Sequence, residues 1–173
     1  METITKNIPA LALRGLTVFP RMTASFDVER EISVRALERA METGQEIFLV
    51  TQRELGVELP EEKDLYEVGT VARVIQILRA SNSMMRVVME GGSRARLRRL
   101  WQREPFLQAQ VELIGEEKSP RHGTRTEAML RQTYALFGEY SELLPKQPES
   151  IFTTVMDATD PGFLAEFIAQ NSN

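Results

Sequence analysis

The feature that most constrains the fold is a change of hydrophobic period near Gly115. Before it, apolar residues recur at every second position or in short unbroken runs; after it, they recur at helical spacing. Met22, Ala24, Phe26 and Val28 alternate with Thr23, Ser25 and Asp27. Leu107, Ala109, Val111 and Leu113 alternate in the same way with Gln108, Gln110 and Glu112. This is the pattern of strands with one face in a core. Ile47 to Val50, Val71 to Leu78 and Met85 to Met89 are more continuously apolar, as expected of strands buried on both faces. One helix is predicted within this region, near 31–43. There Val34, Leu37, Ala40 and Met41 share a face, and Gly44 can supply the left-handed residue that closes the helix. Gly56 to Asp64, acidic and containing Pro60, reads as an exposed connection.

Beyond Gly115 a polar stretch with Pro120 and Gly123 suggests a hinge. Thr124 with Glu127 suggests a capping box opening a helix that carries Leu130, Tyr134, Phe137 and Leu144. Pro148 suits the first turn of a second helix with Ile151, Phe152, Val155 and Met156. Asp160-Pro161 starts a third with Phe163, Leu164, Phe167 and Ile168. The chain therefore reads as α+β, with a β-rich lobe over 1–116 followed by a small helical bundle over 117–173. The apolar stripe is still running at Ile168 without a glycine stop, so the natural chain is expected to continue into a longer helix.

Chemistry is conspicuous by its poverty. There is no cysteine, hence no thiol nucleophile, disulfide or thiolate metal site. A phosphate-cradling Gly-x-x-x-x-Gly-Lys does not occur; Gly115-Glu116-Glu117-Lys118-Ser119 lacks the second glycine, and its acids would repel phosphate. Gly91-Gly92-Ser93-Arg94-Ala95 falls one residue short of a nucleophile elbow and reads as a plain turn. His122, the only histidine, lies in a polar loop, and Glu61, Glu62, Asp64 and Glu67 read as solvated. No catalytic, cofactor-binding or metal residue is predicted. The net charge of −4 gives no bulk attraction to nucleic acid or anionic lipid. No apolar run approaches the roughly 20 residues that cross a bilayer, and Glu2 and Lys6 do not suit a secretory signal. A soluble cytoplasmic protein without a membrane partner is expected.

Two features can bind something. Arg94, Arg96, Arg98, Arg99 and Arg103 form a basic run in which Arg94, Arg96 and Arg98 share one strand face, with Ala95, Leu97 and Trp101 on the other. Phosphates suit such a ribbon, while the opposite placement of Trp101 argues against combined use, and pairing with neighbouring acids is the plain alternative. The second feature is Met84-Met85 beside Ser81-Asn82-Ser83. A two-residue turn at Ser81-Asn82 would place Leu78 opposite Met85 and set Leu78, Met84 and Met85 near a hairpin tip. Methionine-rich exposed surface adapts to many apolar sequences. Pro20, Arg21 and Met22 would extend this patch if the two loops are adjacent; the alternative is that these side chains cap the sheet core.

Read together, Leu11 to Arg14, Val18-Phe19-Pro20, the helix Val34 to Met41, Phe48 to Val50, Leu65-Tyr66-Glu67-Val68-Gly69-Thr70-Val71-Ala72, Glu90-Gly91 and Asp160-Pro161-Gly162-Phe163-Leu164-Ala165 resemble, in order and spacing, the N-terminal domain of the ATP-dependent Lon proteases. Ala12, Arg21 and Gly92 depart from the family's usual proline, glycine and apolar residue. The resemblance implies a PUA-like β-rich pseudo-barrel lobe, then a helical lobe. It also implies a parent that is an ATP- and Mg-dependent serine endopeptidase, its Walker motifs and Ser-Lys dyad outside this chain. That parent would be a homohexamer acting in the stress response and protein quality control, degrading misfolded, damaged and short-lived regulatory proteins. The role implied here is recognition of unfolded polypeptides and support of assembly, with DNA a partner of the parent only. An RNA- or DNA-binding PUA-like module and a free-standing Lon-like domain are the alternatives.

Overall fold

A computed structural model describes residues 4–79, 84–115, 123–143 and 148–171. The strands are β1 (Thr5–Leu13), β2 (Thr23–Val28), β3 (Glu46–Thr51), β4 (Val68–Arg79), β5 (Met85–Gln102) and β6 (Gln108–Leu113). The helices are α1 (Glu31–Glu42), α2 (Thr124–Leu143), α3 (Glu149–Asp157) and α4 (Pro161–Asn171). Chain contacts divide into two units, Met1–Gly115 and Glu116–Asn173.

In the first unit the sheet order is β2-β5-β4-β3-β1-β6, and a further pairing of β5 with β6 closes β5, β4, β3, β1 and β6 into a ring. Among the described strands only β1 and β3 run parallel. Closure depends on the length of β5: its first half pairs with β2 and β4, its second half with β6. Side-chain alternation then builds two apolar clusters on opposite sheet faces. Ile8, Ala10 and Ala12 join Phe48, Val50, Val71, Ala95, Leu97, Ala109 and Val111 inside the ring. Leu11 and Leu13 join Ile47, Leu49, Val87, Met89 and the buried face of α1, Ala36, Leu37 and Ala40. Since β3 contributes to both, its unbroken apolar run is explained.

The motif glycines work by close approach. A Cβ on Gly69 would lie 2.3 Å from the Leu49 carbonyl oxygen and 2.7 Å from the Phe48 ring. On Gly91 it would lie 2.1 Å from the Phe19 carbonyl oxygen. Arg21 N–H donates to Gly91 O at 2.7 Å, Gly91 N–H to Met22 O at 2.8 Å, and the buried Thr70 hydroxyl to Val18 O at 2.7 Å. Thus Val18 to Met22 is strapped to β4 and β5 through Thr70 and Gly91, residues of the motifs that carry the resemblance.

Several expectations need correction. Glu90 to Ser93 forms no turn; it is the continuous middle of β5, beside a register shift in β4 between Thr70 and Ala72. The far half of β4 is not buried on both faces: Ile75 and Leu78 are exposed, and Ile75 falls at a second shift between Val74 and Gln76. The bulge bends the strand and turns an apolar side chain out of the alternation. Near Glu127 the helix is capped by Gly123, whose carbonyl accepts from Thr126 and Glu127, so Thr124 is already helical rather than the cap. A capping box exists instead at Glu61 and Asp64. His122, the hinge stretch through Arg121 and Leu144 lie outside the described residues.

Within the second unit, Phe137, Val155, Ala158 and Leu164 form the buried centre of the three helices. The Tyr134 hydroxyl donates to Ala158 O at 2.5 Å. Asp160 accepts from the Gly162 and Phe163 amides at 3.3 and 3.1 Å, with Pro161 at the first helical position.

Candidate polypeptide-binding surface

The predicted surface residues divide sharply. Met85 is 7% exposed and belongs to the cluster under α1, and Pro20 is buried as well; neither is available to a partner. The reason is register. The flanking pairs are Arg79 with Met85 and Leu78 with Arg86, one residue away from the predicted Leu78–Met85 pair. A one-residue slip changes which side chains face the core. Ser81 and Asn82, where the tight turn was expected, lie outside the described residues. Leu78 remains exposed, Met84 is half-buried, Arg21 is exposed and Met22 is half-buried. Arg21 holds its position through a left-handed φ of 62° and the amide bond to Gly91.

Nor are the two loops adjacent. β2 pairs antiparallel with β5 so that Thr23 lies opposite Glu90 and Val28 opposite Met85. Arg21 and Met22 therefore sit at one end of β2, while Met84 and Leu78 sit at the other. Six extended residues separate the ends by roughly 17 Å. Sequence reasoning missed Ile75, which joins Leu78 as exposed apolar surface on the arm of β4. The bulge that exposes it has no residue signature of its own in the mixed sequence of β4.

The arginine run follows its plain alternative. Arg96 pairs with Glu67 at 2.6 Å, Arg98 with Glu112, and Arg103 with Glu61 at 3.3 Å. A register shift between Leu97 and Arg99 also inverts the expected alternation, so Trp101 is exposed, not core-facing. Across β2 and β5, Arg86 grips Asp27 with two bonds of 2.7 and 2.9 Å. Those bonds hold the Asp27 carboxyl below its usual range and the Arg86 guanidinium above its own.

Near the start of α1, Arg30 donates to Ala12 O, to Gln52 Oε1 at 3.0 Å and to Glu58 O at 3.3 Å. Arg14 donates to Val57 O at 2.8 Å. Burial, then the like charge of Arg14, lowers the pKa of Arg30. These arginines pin the 53–59 connection. Among the described residues no cluster of His, Asp or Glu is arranged to hold a metal, and no helix is long and apolar enough to cross a membrane.

Comparison with known proteins agrees with this architecture. The profile of the ATP-dependent protease La (LON) substrate-binding domain matches residues 7–173. Lon protease of Brevibacillus choshinensis is 39% identical over 166 residues, which are 96% of this chain and 21% of that protein. Lon protease 1 of Bacillus subtilis is 34% identical over 170 residues, 98% of this chain and 22% of that protein. The chain thus spans about a fifth of the length of these curated relatives. Among solved structures, the N-terminal domain of Mycobacterium avium complex Lon protease superimposes with a TM-score of 0.69 at 17% identity, covering 96% of this chain and 83% of that one. A Lon N-terminal domain protein from Xanthomonas campestris gives 0.57 at 15% identity, covering 95% and 98%. With the match running through both units, the chain belongs to the Lon substrate-binding domain family.

Proposed function

We propose that this chain recognises exposed apolar segments of unfolded or damaged polypeptides for an ATP-dependent serine protease whose motor and catalytic modules lie elsewhere. Membership of a substrate-binding family is the observation that carries the reading. The side chains that suit it are the exposed Ile75 and Leu78 on the arm of β4 and the exposed Arg21, with the half-buried Met84 and Met22 beside them. Folded proteins hide the sequences such side chains would contact, so discrimination follows from what unfolding exposes. Contact would be weak and tolerant, since flexible methionine and aliphatic surfaces re-pack against many partners. Assembly with other Lon subunits, and use of ATP and Mg by the parent, belong to the same proposal.

The test is binding of the chain to one protein before and after unfolding, followed by anisotropy. Binding confined to the unfolded form is expected; equal binding to both forms defeats the reading. Nucleic-acid binding is disfavoured because Arg96, Arg98 and Arg103 are already paired with carboxylates.

A further inference from the structure

Among the described residues, strand β2 has a partner on one side only: its register is with β5, and no other strand pairs with it. The direction of its main chain follows from one bond. Gly91 N–H donates to Met22 O, so Met22 faces β5, and in an antiparallel ladder every second residue shares that direction. Ala24, Phe26 and Val28 therefore bond to β5, while the N–H and C=O groups of Thr23, Ser25 and Asp27 point to the open edge. The side chains of these last three are exposed and polar, and none is proline or lysine, the residues that commonly block an edge. Asp27 carries charge, but its carboxylate is held by Arg86.

A groove of 330 Å³ lies beside this edge. One wall is the last part of β1, Leu11 to Arg14; the other is Phe26 to Arg30. Next to it, β6 pairs with β1 through Thr5 to Pro9, and one further main-chain bond runs from Ala10 N–H to Leu107 O before the contact ends. Where a strand would otherwise pair with the rest of β1, the Arg30 side chain bonds the Ala12 carbonyl instead. The groove is thus a missing strand position. Leu16 and Phe26 supply apolar lining, and Arg14, whose Nε is shielded from solvent with no acceptor among the described residues, stands at its border.

We propose that the open edge of β2, from Thr23 to Asp27, is a strand-addition site where an extended polypeptide segment pairs through its main chain. This rests on the polypeptide-binding reading and adds how and where capture occurs. Alternating donors and acceptors at strand spacing are matched by an extended chain of any sequence, which gives tolerance without a side-chain code. The ends of β2 also coincide with the two exposed patches. A segment lying along it would start beside Arg21 and Met22 and finish towards Met84, so the separated loops become the two ends of one track.

The experiment uses the 173-residue chain and an unstructured peptide of mixed apolar and polar residues, read by amide hydrogen exchange and anisotropy. On saturation the amides of Thr23, Ser25 and Asp27 are expected to gain protection of about tenfold or more, while Ala24 and Phe26, already bonded to β5, change little. A peptide N-methylated at consecutive residues, blocking both of its edges, is expected to lose about tenfold in affinity, whereas methylation at alternate residues leaves one edge usable and retains binding. Ser25→Pro, which removes an outward N–H without touching the β5 ladder, is expected to match the doubly blocked peptide. Doubly methylated peptide binding as tightly as the parent peptide, with no protection at Thr23, Ser25 or Asp27, overturns the proposal while leaving side-chain capture intact. Concentration-dependent dimers abolished by Ser25→Pro overturn it differently, by assigning the edge to a second copy. Failure of every peptide to bind removes the underlying reading itself.

Discussion

Replacement of Met85 by alanine separates core from surface more cleanly than any other single change. The side chain is 7% exposed, sits opposite Val28 across the β2–β5 ladder, and packs in the cluster that α1 covers. Truncating a buried methionine removes its transfer free energy and leaves a cavity, together about 2–5 kcal/mol. Met85 begins β5 beside the hairpin end, where neighbours can partly close the gap, so the lower part of that range applies, about 2–3 kcal/mol. For a unit of this size each kcal/mol lowers the midpoint by about 4 °C, giving a loss of about 8–12 °C. Two units complicate whole-chain calorimetry, because each has its own core and a single midpoint need not describe both. Trp101, the only tryptophan, lies on β5, so its fluorescence follows the strand unit alone. Met85→Leu, close to volume-conserving, should stay within about 1.5 kcal/mol. The control is Leu78→Ser, expected to leave the midpoint nearly unchanged because the side chain is 50% exposed, and to weaken binding to unfolded protein. A Met85→Ala variant with an unaltered midpoint but weakened binding would return Met85 to the surface and refute the register argument.

Three further outcomes test the remaining physical claims. Gly91→Ala forces a Cβ to within 2.1 Å of a backbone carbonyl that cannot swing aside, so a loss of about 3 kcal/mol is expected in denaturant titration, against less than about 0.5 for Gly56→Ala, which meets nothing within 4 Å. Thr70→Val leaves the buried Val18 carbonyl without its 2.7 Å donor and should cost about 1–3 kcal/mol by the same titration. Asp27 has a folded-state pKa below its unfolded value, so its pairing stabilises fully above the unfolded carboxyl range and is lost as pH falls through the depressed value. Denaturant titrations at neutral and strongly acid pH should accordingly show Asp27→Asn less stable than the parent at the former and equal to it at the latter.

What could be read from sequence was periodicity, and it served well where one face is buried and the ladder is regular. β6 and α1 lie where their patterns placed them, α1 as Glu31–Glu42 against the expected 31–43. Asp160-Pro161 opens α4 as its chemistry demands. Errors gathered at bulges, because a register shift obeys tertiary closure and has no residue pattern of its own. The shift at Leu97/Arg99 moved Trp101 outward, that at Val74/Gln76 exposed Ile75, and the pairing of Arg79 with Met85 withdrew Met85. Glycine misled for a related reason. Gly91-Gly92 looks like punctuation, yet here it marks a strand pressed against another backbone: Gly91 on Phe19, and Gly92 with a Cβ position 2.8 Å from the Val71 carbonyl oxygen.

The residues that identify this family and the residues open to a partner are therefore different sets, and the difference has a mechanical cause. Gly69 presses β4 against the β3 main chain at Leu49, while Thr70 and Gly91, with the Arg21 and Gly91 amides, fix Val18 to Met22 against β4 and β5. Fixing that segment sets the start of β2 and hence which of its main-chain groups face away from β5. Side chains at Ile75 and Leu78 carry no such duty; exposed as they are, they can change in size with little effect on the core. A domain that must accept many unrelated segments gains from this division, since the frame holds one edge open at fixed spacing while apolar side chains at its ends adapt. Weakening the frame should then disturb binding at a distance: Thr70→Val, remote from Leu78, is expected to reduce capture of extended peptide in proportion to the disorder it introduces at Met22 and Thr23, measured by loss of amide protection at Ala24. Unchanged protection at Ala24 with reduced capture would separate the motif from the edge and break the link drawn between them.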